Sequence, residues 1–325
     1  MSLRCGIIGA GQIAWRYDGG RWDGRRSLTH AACLDRHPET DLVAVFDPVE
    51  HSRAEFETGY NGPAPVALPE TLQDFCALNL DLVVIASPTH HHGSHLRACL
   101  EAGVPRLWLE KPVTLEFAEF ESLRKAVEAM PAAPRISVNY FRRALPQVAR
   151  LKAHLRATPD LTGVEIVYSR ALAVNGVHLL DLLGHLFDLT RPPPLDWVRA
   201  DASGANPDFG LTLAGVPVSV TGHALPYHLI ELRLIGPDGR MSLTQGGAAL
   251  MWEAAQPNPD YPGFFNIAPP EPVLPEGLAQ AAMHDGMYLM LDNLLDPQAV
   301  PVSPLHSAYF AQAVLTQVTE AGGLT

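Results

Sequence analysis

Through residue 140 the chain alternates short apolar runs with longer amphipathic stretches. The runs Leu3–Ile8, Asp41–Phe46, Leu80–Ala86, Val104–Leu109 and Arg135–Tyr140 have strand length and predict strands. Between them, His91–Ala102 closes on Gly103 and Leu115–Ala129 follows Thr114, a stop and a start signal for helices. Apolar strands separated by helices predict a parallel sheet covered on both faces, an α/β fold with a doubly wound Rossmann sheet.

Beyond residue 140 the pattern changes. A helix is expected over Pro146–Ala157, a strand over Gly163–Leu172 and a very apolar helix over Val177–Phe187. Consecutive strands follow at Gly210–Leu213, Val216–His223, Ile230–Ile235 and Met241–Thr244, with Pro237-Asp238-Gly239 as a hairpin turn. This half reads as an α+β domain with a large open, mainly antiparallel sheet. Pro257–Pro275 predicts a long surface loop, and Leu305–Ala321 a final helix.

The length of 325 residues suits two domains, read as 1–140 and 141–325. The 47% hydrophobic and 18% charged content is that of a globular protein. A net charge of -12 argues against a nucleic-acid partner. Cys5, Cys33, Cys76 and Cys99 form no CxxC pair, which favours reduced thiols over disulfides or zinc. The start MSLRCGII runs straight into a strand without a signal-peptide core, and no apolar run reaches bilayer length. A cytoplasmic protein without a membrane partner is expected.

The first strand runs into Gly9-Ala10-Gly11-Gln12-Ile13-Ala14, a G-x-G-x-x-A motif where strand turns into helix. Gly9 permits the turn, Gly11 lets a pyrophosphate approach the backbone, Ala14 allows close packing, and the helix N-terminus meets the phosphates. Asp47, ending the second strand, can accept from both adenosine ribose hydroxyls and repels a 2′-phosphate, so NAD is favoured over NADP. The alternative for Asp47 is a turn formed with Pro48. Asp47 stands 38 positions after Gly9, against roughly 20 in the usual fingerprint. Trp15–Thr29, rich in Gly and Arg, accounts for the excess as an insertion looping out beside the cofactor before helix resumes near His30.

Glu110-Lys111-Pro112 follows the strand Val104–Leu109. A lysine at the carboxyl end of a parallel strand projects into the ligand crevice, where its donors could hold a substrate hydroxyl and stabilise alkoxide charge. Otherwise Lys111 is a solvated surface residue. Asn139 and Arg142, where the last strand of this half closes, could face the same crevice, or the arginine could clamp a domain junction.

On the apolar helix Val177–Phe187, His178, Asp181 and His185 fall at i, i+3 and i+7, on one stripe. Asp181 and His185 are one turn apart, so the carboxylate could orient the imidazole and raise its basicity. Alcohol oxidation sends a hydride to NAD and a proton to a base, for which His185 is the candidate. A metal reading of this stripe lacks a further ligand, and no metal is expected; core histidines bonded to the backbone are the other alternative. His90-His91-His92 point in different directions at a helix start, which suits capping and cofactor-edge contacts better than metal binding.

GIIGAGQIA, SPTHHHGSHLRACLEAG, LEKPVT, VNYFRR and GVHLLDLLGHLF, in that order over residues 5 to 187, resemble the glucose–fructose oxidoreductase/inositol dehydrogenase/MocA (Gfo/Idh/MocA) family. The resemblance implies a Rossmann domain, an α+β domain whose open sheet mediates oligomerisation, and a homodimer or homotetramer. It implies that Lys111 is the catalytic or substrate-binding lysine, that Asp181 and His185 form the proton-accepting pair, and that His178 lies near substrate. Ser87, Pro88, His92 and Glu110 join Gly9, Gly11, Gln12, Ile13, Ala14, Asp47 and Lys111 as expected cofactor contacts. The expected function is NAD-dependent hydride transfer at a hydroxyl or keto carbon of a sugar, nucleotide sugar or cyclitol. Two alternatives stay open: a reductase of a ketone, imine or enone, and a regulator that binds dinucleotide without chemistry.

Overall fold

The computed structural model describes residues 2–18, 27–158 and 160–323. They form two compact units, Met1–Phe141 with His284–Ala308, and Arg142–Met283 with Tyr309–Thr325.

In the first unit, strands β1 (Leu3–Ile8), β2 (Thr40–Phe46), β3 (Leu82–Ile85), β4 (Arg106–Leu109) and β5 (Arg135–Val138) form a parallel sheet in the order β2-β1-β3-β4-β5. Between and after its strands lie the helices α1 (His30–Arg36), α2 (Glu50–Gly59), α3 (Leu72–Cys76), α4 (His92–Glu101) and α5 (Phe117–Glu128), with a further helix from the returning chain. All four residues of β3 are buried, as a central strand with both faces covered requires. On α5, Phe120, Leu123 and Val127 give the buried stripe at helical spacing.

Two features of the first unit depart from expectation. The helix expected after Gly11 is a five-residue π-turn, Gln12–Arg16, and the α-helix begins only at His30, where the Thr29 side chain accepts from Ala32 N. Asp18 accepts from Leu28 N at 3.3 Å and from Thr29 Oγ1 at 2.6 Å, drawing the ends of the inserted segment together. Residues 19–26, most of the Trp15–Thr29 insertion, lie outside the described residues. The second departure is His284–Ala308, which reads from sequence as second domain but packs with the first unit. There the helix Gly286–Leu295 buries Met290, Leu291 and Leu294, and Arg135 donates to the carbonyls of Asn293 and Ala299 at 2.8 Å each.

The second unit contains α6 (Pro146–Ala157), β6 (Gly163–Ser169), α7 (Val177–Leu186), β7 (Leu195–Arg199), β8 (Asp208–Leu213), β9 (Val216–His223), β10 (Ile230–Gly236), β11 (Gly239–Thr244), β12 (Ala249–Pro257), β13 (Phe265–Ile267) and β14 (Glu271–Pro272). The sheet order is β13-β12-β11-β10-β6-β9-β8-β7, with β14 also on β12. Every pairing is antiparallel except β6 with β9. The helix Tyr309–Ala321 packs on α7 so closely that a Cβ at Gly184 would meet Phe310 at 2.8 Å.

Strand β6 stops at Ser169, short of Leu172, because the backbone turns to positive φ at Arg170 (61°) and Ala171 (75°). The stretch Pro257–Pro275 is not simply a loop: β13 and β14 within it supply hydrogen-bond partners to β12. Among the described residues no helix is long and apolar enough to cross a membrane.

Candidate active site

Strand register builds the site of the first unit. Ile8 pairs with Phe46 and Ile85, Ile85 with Leu109, and Leu109 with Val138. The residues that follow, Gly9, Asp47, Ala86, Glu110 and Asn139, therefore form one row along the carboxyl edge of the sheet. Backbone bonds hold the row, from Gly9 N to Phe46 O, Ala86 N to Ile8 O, Glu110 N to Ile85 O and Asn139 N to Leu109 O, at 2.7–2.9 Å. Parallel sheets bind ligands at this edge, beside the point where strand order reverses, here between β1 and β3.

Gly9 has φ of 101°, and a Cβ there would lie 2.7 Å from Ser87 N. Only glycine fits. A Cβ at Gly11 would meet nothing within 4 Å, which leaves the backbone open to a close ligand. Ala14 is buried, while Gln12 and Ile13 keep surface exposure. Trp15, expected only as the start of an insertion looping out, instead donates from Nε1 to Ala10 O at 3.0 Å and braces the loop. Asp47 accepts from Ala10 N and from Val49 N, both at 2.9 Å, so its carboxylate shapes the glycine loop and the following turn together. Two lone-pair sites remain for a ribose hydroxyl. Arg53 donates to the Asp47 carbonyl at 2.8 Å and brings a cation to the same corner. An open glycine backbone beside an acidic strand end fits a dinucleotide's pyrophosphate and ribose.

Ser87 and Pro88 leave β3 at the same edge. The Ser87 hydroxyl meets His95 Nδ1 at 2.8 Å. Buried His92 has Nε2 2.8 Å from Ser87 O and Nδ1 3.0 Å from Pro112 O. It therefore ties the loop after β3 to the loop after β4, and burial keeps its pKa below the ordinary histidine value. His90 and His91 are exposed; among the described residues no three His, Cys, Asp or Glu side chains gather as metal ligands.

Glu110 is the buried hub of the row. It faces His30 Nε2 at 2.8 Å, accepts from Asn139 Nδ2 at 2.5 Å and from Lys111 N at 3.3 Å. Burial alone would push its carboxyl up, but His30, the Lys111 charge and the Asn139 amide together hold it below its ordinary value. A carboxylate only accepts, so His30 carries its proton on Nε2. Its ring stands edge-on to Trp108, with centroids 4.2 Å apart. Lys111 follows directly, half-buried, on a cis peptide with Pro112.

In the second unit the expected pairing of Asp181 with His185 is not formed. Asp181 is held bidentately by Arg143, Nε to Oδ2 at 2.7 Å and Nη2 to Oδ1 at 2.5 Å, with both side chains buried. A planar guanidinium that can satisfy both oxygens outcompetes an imidazole one turn along the helix. Burial raises Asp181 to about 6 despite Arg143. His185 is half-buried among Arg143, Lys152, Arg156 and Asp188; burial first and then the cations lower it to about 4, so it is neutral at pH 7. His178 lies buried in the first turn of α7, one turn after buried Asn175. Arg142 is buried with Nε on Gly246 O at 2.9 Å, and burial lowers its pKa to about 10. Its charge also reaches His228, whose Nε2 accepts from Arg170 at 2.6 Å while Nδ1 lies 3.1 Å from the Asn175 amide. Arg170, Asn175 and His228 have no spacing motif that singles them out in the sequence.

A parallel sheet with a glycine loop at its switch point and an acid ending the next strand defines the NAD(P)-binding class of Rossmann proteins. Residues 3–140 match the model of the Gfo/Idh/MocA family, described as "Oxidoreductase family, NAD-binding Rossmann fold". Inositol 2-dehydrogenase 4 of Saccharopolyspora erythraea is 32% identical over 231 residues, covering 65% of this chain and 61% of that protein. The WlbA dehydrogenase of Bordetella pertussis, solved with NADH and UDP-GlcNAcA, shares the fold with a TM-score of 0.74 at 17% identity, covering 99% of this chain and 96% of that one. KijD10, a 3-ketoreductase from Actinomadura kijaniata solved with TDP-benzene and NADP, gives a TM-score of 0.70 at 16% identity, covering 99% and 98%.

Proposed function

We propose that the chain is an NAD-dependent dehydrogenase acting on a CH–OH carbon of a sugar, nucleotide sugar or cyclitol. The observation that carries this reading is the row Gly9, Asp47, Glu110 and Asn139 at one sheet edge, with Gly11 open above it and Lys111 next to its charged hub. The inositol dehydrogenase relative supports an alcohol or its ketone as substrate. When bound, the nicotinamide supplies a hydride acceptor. Gly9 and Gly11 position the pyrophosphate, and the Asp47 carboxylate takes the ribose hydroxyls and opposes a 2′-phosphate. Arg53 does not reverse that preference, because it is already engaged with the backbone.

Lys111 holds the reacting oxygen and stabilises its developing negative charge. Of the candidate bases on α7, His178 replaces His185 as proton acceptor. A base must become positively charged as it works, and burial first, then Arg143, Lys152 and Arg156, disfavour that at His185, while Asp181 is held by Arg143. His178 stands on the same stripe near Asn175 instead. Losing a positioned general base reduces rate by a factor of about 100 to 10,000. The test follows NADH formation with myo-inositol and UDP-sugars for His178→Ala, His185→Ala and Lys111→Ala. Loss in the first and third with retention in the second supports these roles; loss only in His185→Ala refutes them.

A further inference from the structure

At the end of β6 the chain adopts a conformation that its side chains oppose. Arg170 has φ of 61° and Ala171 lies at φ 75°, ψ 142°, a region that favours glycine, yet neither residue is glycine. Surrounding bonds enforce the turn. Ala171 N donates to Asn206 Oδ1 at 2.9 Å, and Asn206 N in turn donates to Asp201 Oδ1 at 3.0 Å. The effect is to aim Arg170 at His228. That residue is itself bracketed, because buried Ser169 donates from Oγ to Tyr227 O at 2.6 Å and accepts from Leu229 N at 2.8 Å. Nε2 of His228 accepts from Arg170, and Asn175 Nδ2 lies 3.1 Å from its Nδ1.

This arrangement uses one of five guanidinium N–H donors. Among the described residues Arg170 has no carboxylate partner, and its side chain is exposed. A solvated surface arginine needs neither a strained backbone nor a histidine acceptor beneath it. Held in this way, its remaining donors form a fixed fork, the geometry that matches a carboxylate or phosphate. The charge of Arg142 adds a second cation near His228.

We propose that Arg170, supported by His228 and Asn175, is an anion subsite of the substrate-binding face of this unit. The substrate is then a sugar bearing a carboxylate or a phosphate, and a neutral polyol is disfavoured. This rests on the dehydrogenase reading only for calling the ligand a substrate; the anion subsite itself is a property of these three residues.

The test measures binding by calorimetry to the full chain saturated with NADH, using D-glucuronate, UDP-glucose, D-glucose and myo-inositol. At least one anion is expected to bind about tenfold or more tightly than the neutral sugars, as charge-assisted hydrogen bonds imply. Arg170→Gln should remove that difference and Arg170→Lys should restore part of it. A gain for D-glucuronate alone assigns a carboxylate, and a gain for UDP-glucose alone assigns the diphosphate. Equal binding of neutral and anionic ligands, no binding of either anion, or anion affinity untouched by Arg170→Gln overturns the proposal. Binding through Arg170 without any NADH formation in a parallel assay with NAD would leave the subsite standing and remove the dehydrogenase reading. NADH formation in that assay together with anion affinity untouched by Arg170→Gln would do the opposite.

Discussion

Asp181 and Arg143 form a bidentate ion pair in the interior of the second unit, although Asp181 sits one helical turn from His185. Removing one partner of such a pair leaves an uncompensated buried charge, with a loss of about 3–5 kcal/mol. Arg143→Met should therefore lower unfolding free energy in urea by about that amount, and Arg143→Met/Asp181→Leu should recover most of it. A double-mutant cycle should show strong coupling of Asp181 to Arg143 and coupling of Asp181 to His185 below about 0.5 kcal/mol. Strong coupling to His185 would reinstate the pairing expected from their spacing.

His30 and Glu110 make a second buried pair, and its consequence is a pH dependence. The Glu110 carboxyl lies below its ordinary value of 4.5 in the folded protein. It therefore contributes stability that is present above pH 4.5 and is lost as the pH falls further. His30→Ala removes the main partner and should move the acid-unfolding midpoint to higher pH, with a loss near neutrality of about 3–5 kcal/mol. His30→Gln retains a donor and should regain part of both. An unchanged acid midpoint in His30→Ala, followed by circular dichroism, would show that the pair does not hold the carboxyl charged.

These two pairs mark where the sequence stops being readable. Gly9, Asp47, Glu110 and Asn139 were legible because each short apolar strand breaks off at a polar or glycine residue, and parallel register then aligns those ends. The partners are another matter. His30 reaches Glu110 across 80 positions and Arg143 reaches Asp181 across 38, distances over which no periodicity speaks. Local spacing offered Asp181 a histidine, and the fold offered it a guanidinium that satisfies both oxygens. Arg170 was hidden differently, since it reads as the interior of a strand and positive φ at a non-glycine residue leaves no mark in the sequence. The helix expected after Gly11 failed because the insertion begins within its second turn.

Asp47 makes the cofactor choice testable. NADH should bind more tightly than NADPH, because a 2′-phosphate would meet the carboxylate. Asp47→Ser should narrow that ratio. It should also weaken NADH itself by about tenfold, since one charge-assisted bond to Ala10 N is lost from the glycine loop. Fluorescence titration of both cofactors measures both effects. Tighter NADPH binding by the wild type would transfer the corner to Arg53, and Arg53→Met would then remove the preference.

Gly9 and Gly11 differ in what an added methyl would touch, so two substitutions separate fold from cofactor binding. At Gly9 a Cβ would sit 2.7 Å from Ser87 N and 2.8 Å from the Ala86 carbonyl, on a backbone with φ of 101°. Gly9→Ala should therefore lower the melting temperature of the cofactor-free protein, because β1 and β3 must part to admit it. At Gly11 the same methyl would meet no protein atom within 4 Å, and φ is -85°. Gly11→Ala should leave the cofactor-free melting temperature unchanged or slightly raised, since alanine restricts the unfolded chain, a gain of about 0.4–1 kcal/mol at compatible sites. Its NADH affinity should nevertheless fall by about tenfold or more, the methyl occupying space that a pyrophosphate needs. Thermal melts with and without NADH read both effects together. If Gly11→Ala were stabilised by NADH as strongly as the wild type, the open face above Gly11 would not be where the pyrophosphate lies.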